Sequence, residues 1–308
     1  MNVLVTGGCG YLGSIVVGRL LSEGHDVTVL DNMLYGNSLQ CEVIRGDVTE
    51  NASISRALQG RDAVIHLAAI VGEGACNLNK EYTVRVNYLA TRNLSKLCEE
   101  HKIRLIFPST ASVYGARPDS PLDEHSQTVP TSVYAITKLA AEDAIRTNSQ
   151  NYVILRLGTL FGLSGRMRFD LVVNRFAAMA ASRETIVVFG GSQFRPFIHL
   201  DDVADSLALL LENDKTGLFN LGGYNYRISD VAKLVAERNN GKIHAFEELR
   251  DPRDYRLNSD LAIKTLNANF KKTVENSLDG IVEYSRRLNY KDPIYNNEEW
   301  LRSTGHVS

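Results

Sequence analysis

Two residues four apart, Tyr134 and Lys138, form a pair suited to proton chemistry. In the run Tyr134-Ala-Ile-Thr-Lys138 they stand at i and i+4, which on a helix puts a phenol and an ammonium on one face. A free phenol has a pKa of about 10, so at neutral pH only about one in a thousand is ionised, a penalty of about 4 kcal/mol. A neighbouring ammonium, or a cationic ring bound beside it, favours the phenolate and recovers part of that penalty. Such a phenolate is a base for an alcohol. The spacing alone is common, so its meaning rests on the elements that would hold it.

The stretch from Met1 to Asp31 supplies them. Asn2 to Thr6 is a short Val- and Leu-rich run of the kind that forms a buried parallel strand. Gly7, Gly8, Gly10 and Gly13 follow at once, and Leu12, Ile15, Val16 and Leu20 then fall at helical spacing. Gly24 stands where a left-handed cap would end the helix, and Val27 to Leu30 reads as a second strand closing on Asp31. A glycine turn at the N-terminus of a helix inside a βαβ unit receives a pyrophosphate on backbone N–H groups and the helix dipole. The spacing fits both Gly8-x-Gly10-x-x-Gly13 and Gly7-x-x-Gly10-x-x-Gly13. Asp31, followed by Asn32, can hold a ribose 2′-hydroxyl and repels a 2′-phosphate, which selects NAD over NADP.

Short apolar runs keep alternating with helical patterns after Asp31. Strands are expected at Cys41 to Arg45, Ala63 to Leu67, Leu105 to Phe107 and Val153 to Leu157. Helices are expected at Ile54 to Leu58, Tyr82 to His101 and Ser132 to Asn148. This rhythm predicts an α/β fold, a doubly wound parallel sheet of the Rossmann kind, with ligands beyond the carboxyl ends of the strands. After Gly162 the pattern changes. A strand at Ile186 to Phe189, a helix at Asp201 to Leu211, a strand at Leu218 to Leu221 and helices at Ser229 to Arg238 and Asp260 to Leu266 predict a smaller, intertwined C-terminal substrate domain. The expected division is 1–165 for the dinucleotide domain, with 193–225 returning to it, and 166–308 for the substrate domain. The last stretch, from Asn289, is polar and carries the single Trp.

With 308 residues the chain can bury an ample core, and a net charge of −2 gives no general attraction to nucleic acid or an anionic membrane. Cys9, Cys41, Cys76 and Cys98 form no CxxC pair and no metal-ligand spacing, which suggests reduced thiols in a cytoplasmic protein without a metal site. No apolar run approaches the roughly 18 residues of a membrane span, and the first apolar run is too short for a signal peptide.

Over nearly its whole length the chain resembles the extended short-chain dehydrogenase/reductases, specifically the NAD-dependent nucleotide-sugar epimerase/dehydratase family. The resemblance rests on Gly7-Gly8-Cys9-Gly10-Tyr11-Leu12-Gly13, Asp31-Asn32, Gly46-Asp47-Val48, His66-Leu67-Ala68-Ala69 and Asn87. It also rests on the run from Ser109 to Gly115, on Tyr134 with Lys138, and on the run from Arg195 to Ala204. It implies that Thr110 hydrogen-bonds the sugar hydroxyl being oxidised, that Tyr134 is the base, and that Lys138 holds the nicotinamide ribose. By the same matching Tyr11 and Leu12 join the glycines, and Asp47 and Val48 approach the adenine. Leu67, Ala68 and Ala69 line the pyrophosphate and ribose, while Asn87 orients the inner shell. Arg195 and Arg253 would meet substrate phosphates, with Arg250 a competitor for the second role. Asn174 would meet the nucleotide, and Ser112 and Cys76 occupy substrate-side positions. The family pairs the helices Tyr82–His101 and Ser132–Asn148 into a homodimer.

Three departures bear on the reaction. Dehydratases of the family carry acids in the two positions after the Ser/Thr, where this chain has Ala111 and Ser112, neither able to eliminate water across C5 and C6. Thr159 stands where many relatives have Asn, and Cys76 where Ser is common. Cys76 is read more readily as a small loop residue than as an acid–base group, and His66 and His199 as structural. Arg166 and Arg168 suit a diphosphate or surface ion pairs almost equally. The implied activity is a nucleotide-sugar epimerase that transiently oxidises C4 with NAD as cofactor and returns hydride to the opposite face. The alternatives are a 4-dehydrogenase, a keto-sugar reductase or a dehydratase of the same family, and, less readily, a non-catalytic NAD(H)-binding protein.

Overall fold

In the computed structural model, which describes residues 1–249 and 253–305, seven parallel strands form one sheet. They are β1 (Asn2–Thr6), β2 (Asp26–Asp31), β3 (Glu42–Arg45), β4 (Ala63–His66), β5 (Arg104–Thr110), β6 (Tyr152–Leu157) and β7 (Gly217–Leu221). Their spatial order is β7-β6-β5-β4-β1-β2-β3, all neighbours parallel. The order reverses between β1 and β4, which makes a crevice at their carboxyl ends. Val3, Leu4 and Val5 have no exposed surface because both faces of the sheet are covered, hence the continuous apolar runs.

One face is covered by the helix Gly13–Ser22, whose Val16, Val17 and Leu20 pack with Val203, Ala204 and Leu207 of the helix Leu200–Leu209. Ala262 and Leu266, from the helix Asp260–Leu266, join the same cluster. The other face takes Ile54, Leu94, Ala141 and Ile145 from three helices. One of these is the expected helix Tyr82–His101. It runs as α-helix from Lys80 to Val84, widens to a π segment over Arg85–Ala90, and resumes as α-helix over Thr91–Glu100. Such widenings cluster at functional sites, and this one buries Val86, Asn87 and Ala90.

A second core gathers the helices Val172–Ala181, Ile228–Asn239 and Val274–Ser285 around Ile186 and Val188 of the strand Ile186–Phe189, which pairs in parallel with the exposed strand Ile243–Phe246. The stretch 193–225 serves both cores. Phe194–His199 pairs with Thr159–Phe161 and Tyr224–Arg227 in a three-stranded sheet, whereas β7 completes the main one. The polar C-terminal stretch contains a helix, Asn297–Thr304, whose Leu301 is buried in the core of the main sheet. Val172–Ala181 and Val274–Ser285 are further helices beyond those expected from the strand–helix rhythm. No helix among the described residues is long and apolar enough to cross a membrane.

Candidate active site

The carboxyl ends of β1 and β4 open onto a cavity whose wall begins with the glycine turn. Gly7 has φ +71°, and a Cβ there would lie 2.6 Å from the backbone nitrogen of Ala68. At Gly13 a Cβ would lie 2.3 Å from the carbonyl oxygen of Gly7. The turn is therefore closed by backbone against backbone, and a side chain at either position forces it open. Asp31 is built into the same turn: its carboxylate accepts the Cys9 N–H at 3.0 Å and the Met33 N–H at 2.7 Å. Burial pushes its pKa up, and those two N–H bonds pull it back.

Gly7, Gly10, Tyr11, Leu12, Gly13 and Asp31 line this cavity. So do Asn32, Asp47 and Val48 beyond β2 and β3, and Leu67, Ala68 and Ala69 beyond β4. A dinucleotide fits these groups. The glycines leave room only for backbone, a helix N-terminus faces the cavity, and a carboxylate ends β2. Arg166 adds a buried guanidinium whose Nε has no hydrogen-bond partner within the chain. Burial lowers its pKa to about 10, which leaves it a cation at neutral pH. Gly13→Ala is expected to weaken dinucleotide binding at least tenfold, about 1.4 kcal/mol, because no flexible side chain is available to yield; dye displacement or calorimetry measures it.

The proton-handling residues sit on the adjoining wall. Strand β5 ends at Thr110, and the helix Val133–Asn148 starts behind Ser132, whose hydroxyl accepts the Ala135 N–H at 3.2 Å. Thr110, Ser112, Tyr134 and Lys138 all line the cavity. The Thr110 hydroxyl accepts the Ser112 N–H at 3.2 Å and lies beside the Tyr134 phenol, where it favours the ionised form. Burial pushes that phenol up to about 12, opposed by the Thr110 hydroxyl and by the charge of Arg168. Lys138 takes a partner the spacing did not suggest. Its Nζ donates to the Pro108 carbonyl oxygen at 2.6 Å and lies 3.8 Å from the centre of the Phe107 ring. Burial lowers its pKa to about 7, and the carboxylate of Glu142 opposes the shift.

Beneath this wall lies a buried network that no motif announces. Glu142 accepts from the Ser109 hydroxyl and from the Arg156 guanidinium, with Nη2 at 2.7 Å and Nε at 3.2 Å. Arg156 Nη1 donates to the Tyr114 hydroxyl at 2.9 Å. Ser109 precedes Thr110, so the network fixes the backbone from which Thr110 projects.

Arg195 and Arg253 line the far part of the cavity, Arg195 over the Tyr255 ring and Arg253 3.8 Å from the carboxylate of Glu73. Arg250 lies outside the described residues. Arg166 and Arg168 resolve toward the cavity rather than the surface. Arg168 pairs with Asp170 through bonds of 3.0 and 2.7 Å, and Arg166 stacks 3.8 Å over the Tyr35 ring.

Three expected site residues do not line the cavity. Cys76 is fully buried and its thiol donates to the Ile70 carbonyl at 3.2 Å, with burial pushing its pKa up to about 12. Asn87 clamps the loop after β4, accepting the Ile70 N–H at 2.8 Å and donating to the Ile70 oxygen at 2.9 Å. Asn174 accepts the Gly162 N–H and donates to the Tyr11 hydroxyl and the Arg168 carbonyl. All three are turned inward to satisfy buried backbone groups. His66 bridges the hydroxyls of Thr6 and Thr91, and burial lowers its pKa to about 3. His199 caps its helix by accepting the Asp201 N–H. Tyr35, Tyr255 and Asn297 line the cavity unannounced; they reach it from a loop, the short strand Tyr255–Leu257 and a C-terminal helix that only tertiary packing brings there.

The profile of the NAD dependent epimerase/dehydratase family matches residues 3–222. The chain is 31% identical to the UDP-glucose 4-epimerase of Corynebacterium glutamicum over 265 residues, which span 77% of this chain and 80% of that one. It is 30% identical to UDP-glucuronic acid decarboxylase 1 of Arabidopsis thaliana over 77% of this chain and 58% of the relative. Among solved structures it resembles the UDP-glucuronic acid 4-epimerase of Bacillus cereus in complex with UDP-glucuronic acid and NAD. That likeness has a TM-score of 0.82 and 27% identity, covering 93% of this chain and 99% of the other.

Proposed function

The chain belongs to the NAD-dependent epimerase/dehydratase family, and from that membership we propose that it interconverts the C4 epimers of a nucleotide-diphosphate sugar. The observation that carries this reading is the meeting of Thr110, Tyr134 and Lys138 on one wall of the cavity whose other wall is the glycine turn and Asp31. Bound NAD supplies the acceptor and donor of hydride. The chain's own groups handle the proton and the orientation. In the protein alone the Tyr134 phenol stays protonated at neutral pH, since burial holds its pKa near 12. Positive charge entering the cavity lowers that value, and the phenolate then accepts the proton of the sugar C4 hydroxyl. Thr110, on the same wall as the phenol, keeps the sugar hydroxyl within reach. Lys138, held on the Pro108 carbonyl, offers its remaining N–H groups to the ribose. Arg195 and Arg253 supply charge for the substrate diphosphate, with Ser112 beside the sugar.

Ala111 and Ser112 provide no acid for elimination, which argues against dehydration. The test is NMR of products from the purified protein and a panel of UDP-, GDP-, CDP- and dTDP-sugars. A pair of 4-epimers with no net NADH is expected. Net NADH matching the product would identify a dehydrogenase, and loss of water a dehydratase.

Asp31 underlies the choice of NAD. Asp31→Asn is expected to narrow the preference for NAD over NADP by about tenfold or more, or 1.4 kcal/mol, because the repulsion of a 2′-phosphate is removed while one acceptor oxygen remains for the turn. Titration of both cofactors decides; a wild type preferring NADP would overturn the assignment.

The helices Thr91–Glu100 and Val133–Asn148 pack together, and the assembly reading is a homodimer through them. Its support is the exposure of Ile136, at 51%, on the second of these helices and of Leu89, at 37%, on the π segment Arg85–Ala90 that leads into the first. Ile136→Glu is expected to yield a monomer by light scattering at micromolar concentration; a monomeric wild type would refute the reading. The four cysteines are unpaired, which suits a reducing compartment such as the cytoplasm.

A further inference from the structure

The polar C-terminal stretch, which carries no motif, bonds to three loops around the cavity. The Trp300 Nε1–H donates to the Leu34 carbonyl at 3.0 Å, in the loop after β2. The Asn297 side-chain amide donates to the Val71 carbonyl at 3.1 Å, in the loop after β4. The Ile294 carbonyl accepts from Arg166 Nη2 at 3.2 Å. Leu34, Val71 and Arg166 all line the cavity. Since β2 and β4 flank β1 in the sheet, a segment tied to the loops after both bridges across the glycine turn that follows β1. Leu301, 1% exposed, anchors that bridge in the core.

Asn297 is the residue of this bridge that reaches the cavity wall. It is 3% exposed, and its Oδ1 has no hydrogen-bond partner within the chain. Its orientation follows from the Val71 contact, because a carbonyl accepts only from the amide nitrogen, which turns the oxygen the other way. A buried amide oxygen without a donor is costly unless a ligand supplies one. The pyrophosphate of a dinucleotide has no hydrogen to give at neutral pH. The ribose hydroxyls and carboxamide of a dinucleotide do.

We infer that Asn297 is a further cofactor-binding residue, accepting a hydroxyl or amide hydrogen from bound NAD, and that the segment from Ile294 to Leu301 is a clasp that keeps this NAD from exchanging. The inference rests on the NAD reading of the cavity. It suits a reaction that regenerates its cofactor within each cycle and needs no exchange.

The full chain is purified, its NAD content is measured after acid release, and the release rate is followed by exchange against excess isotopically labelled NAD. Wild type is expected to retain NAD through purification. Asn297→Leu is expected to release it at least ten times faster, and Trp300→Phe, which keeps the ring and loses the N–H, several times faster. Melting of the cofactor-free proteins reports whether each variant folds. Release from Asn297→Leu at the wild-type rate overturns the inference alone. If that variant does not fold, Trp300→Phe decides, and an unchanged rate again overturns it. A wild type that binds no NAD overturns both the inference and the reading beneath it.

Discussion

Tyr134→Phe should reduce turnover by about 10²–10⁴-fold, the range for a lost general base, with little change in NAD affinity. The substitution keeps the ring and its packing and removes the phenol that shares the cavity wall with Thr110. The loss should fall on kcat and kcat/KM together, as for a group that acts in the transition state. Thr110→Val should cost less, since it removes a hydrogen bond and no charge, and Thr110→Ser should be nearly silent. Lys138→Ala should impair both turnover and cofactor binding, because the ammonium faces the cavity from its seat on Pro108. Steady-state kinetics with cofactor titration separates these cases. Retention of more than about a tenth of wild-type turnover by Tyr134→Phe, far above the general-base range, would end the mechanism. Neither Cys76 nor His199 lines the cavity, so neither is an evident substitute.

The largest effect on stability is expected at Glu142. Its side chain has no exposed surface, and its partner Arg156 is 4% exposed. Burying two charges is costly, and the pair tolerates it because the guanidinium grips the carboxylate through two nitrogens and the Ser109 hydroxyl fills a further position. Glu142→Ala leaves Arg156 as an uncompensated buried cation, at a cost of about 3–5 kcal/mol. That is a large share of the about 5–15 kcal/mol that stabilises a typical domain. The double replacement Glu142→Leu with Arg156→Met removes both charges and should be more stable than Glu142→Ala, since hydrophobic substitutes for a buried pair are often neutral. Urea denaturation gives both values. A single-variant cost under about 1 kcal/mol would place the pair among those that contribute little, as exposed pairs do. The double variant should still lose activity, because Ser109 loses the acceptor that steadies Thr110.

What the sequence determined by itself is local or periodic. The glycine turn needs residues without Cβ within seven positions of each other, and the close approach of Gly13 to the Gly7 carbonyl is made between near neighbours in the chain, whereas the packing of Gly7 on Ala68 comes with the sheet. The Tyr134–Lys138 pairing follows from helical pitch alone. The parallel sheet follows from apolar runs that alternate with helical stripes, and those runs are apolar because both faces are covered.

Only the tertiary structure decided where the polar residues point. Asn174 looks like a nucleotide ligand in sequence, yet its amide donates to the Tyr11 hydroxyl, 163 residues away. Lys138 sits one helical turn from Tyr134, yet the short bond to Pro108 claims its ammonium. Arg166 and Arg168 become cavity cations because Tyr35 and Asp170 meet them there. Asn297 joins the cavity wall, and Trp300 bonds to the Leu34 loop beside it, because Leu301 docks their helix in the core of the main sheet. Buried polar groups must find partners wherever the packed chain supplies them. Spacing along the chain records periodicity and tight turns; it does not record which distant carbonyl, hydroxyl or carboxylate will be within three ångströms once the layers close.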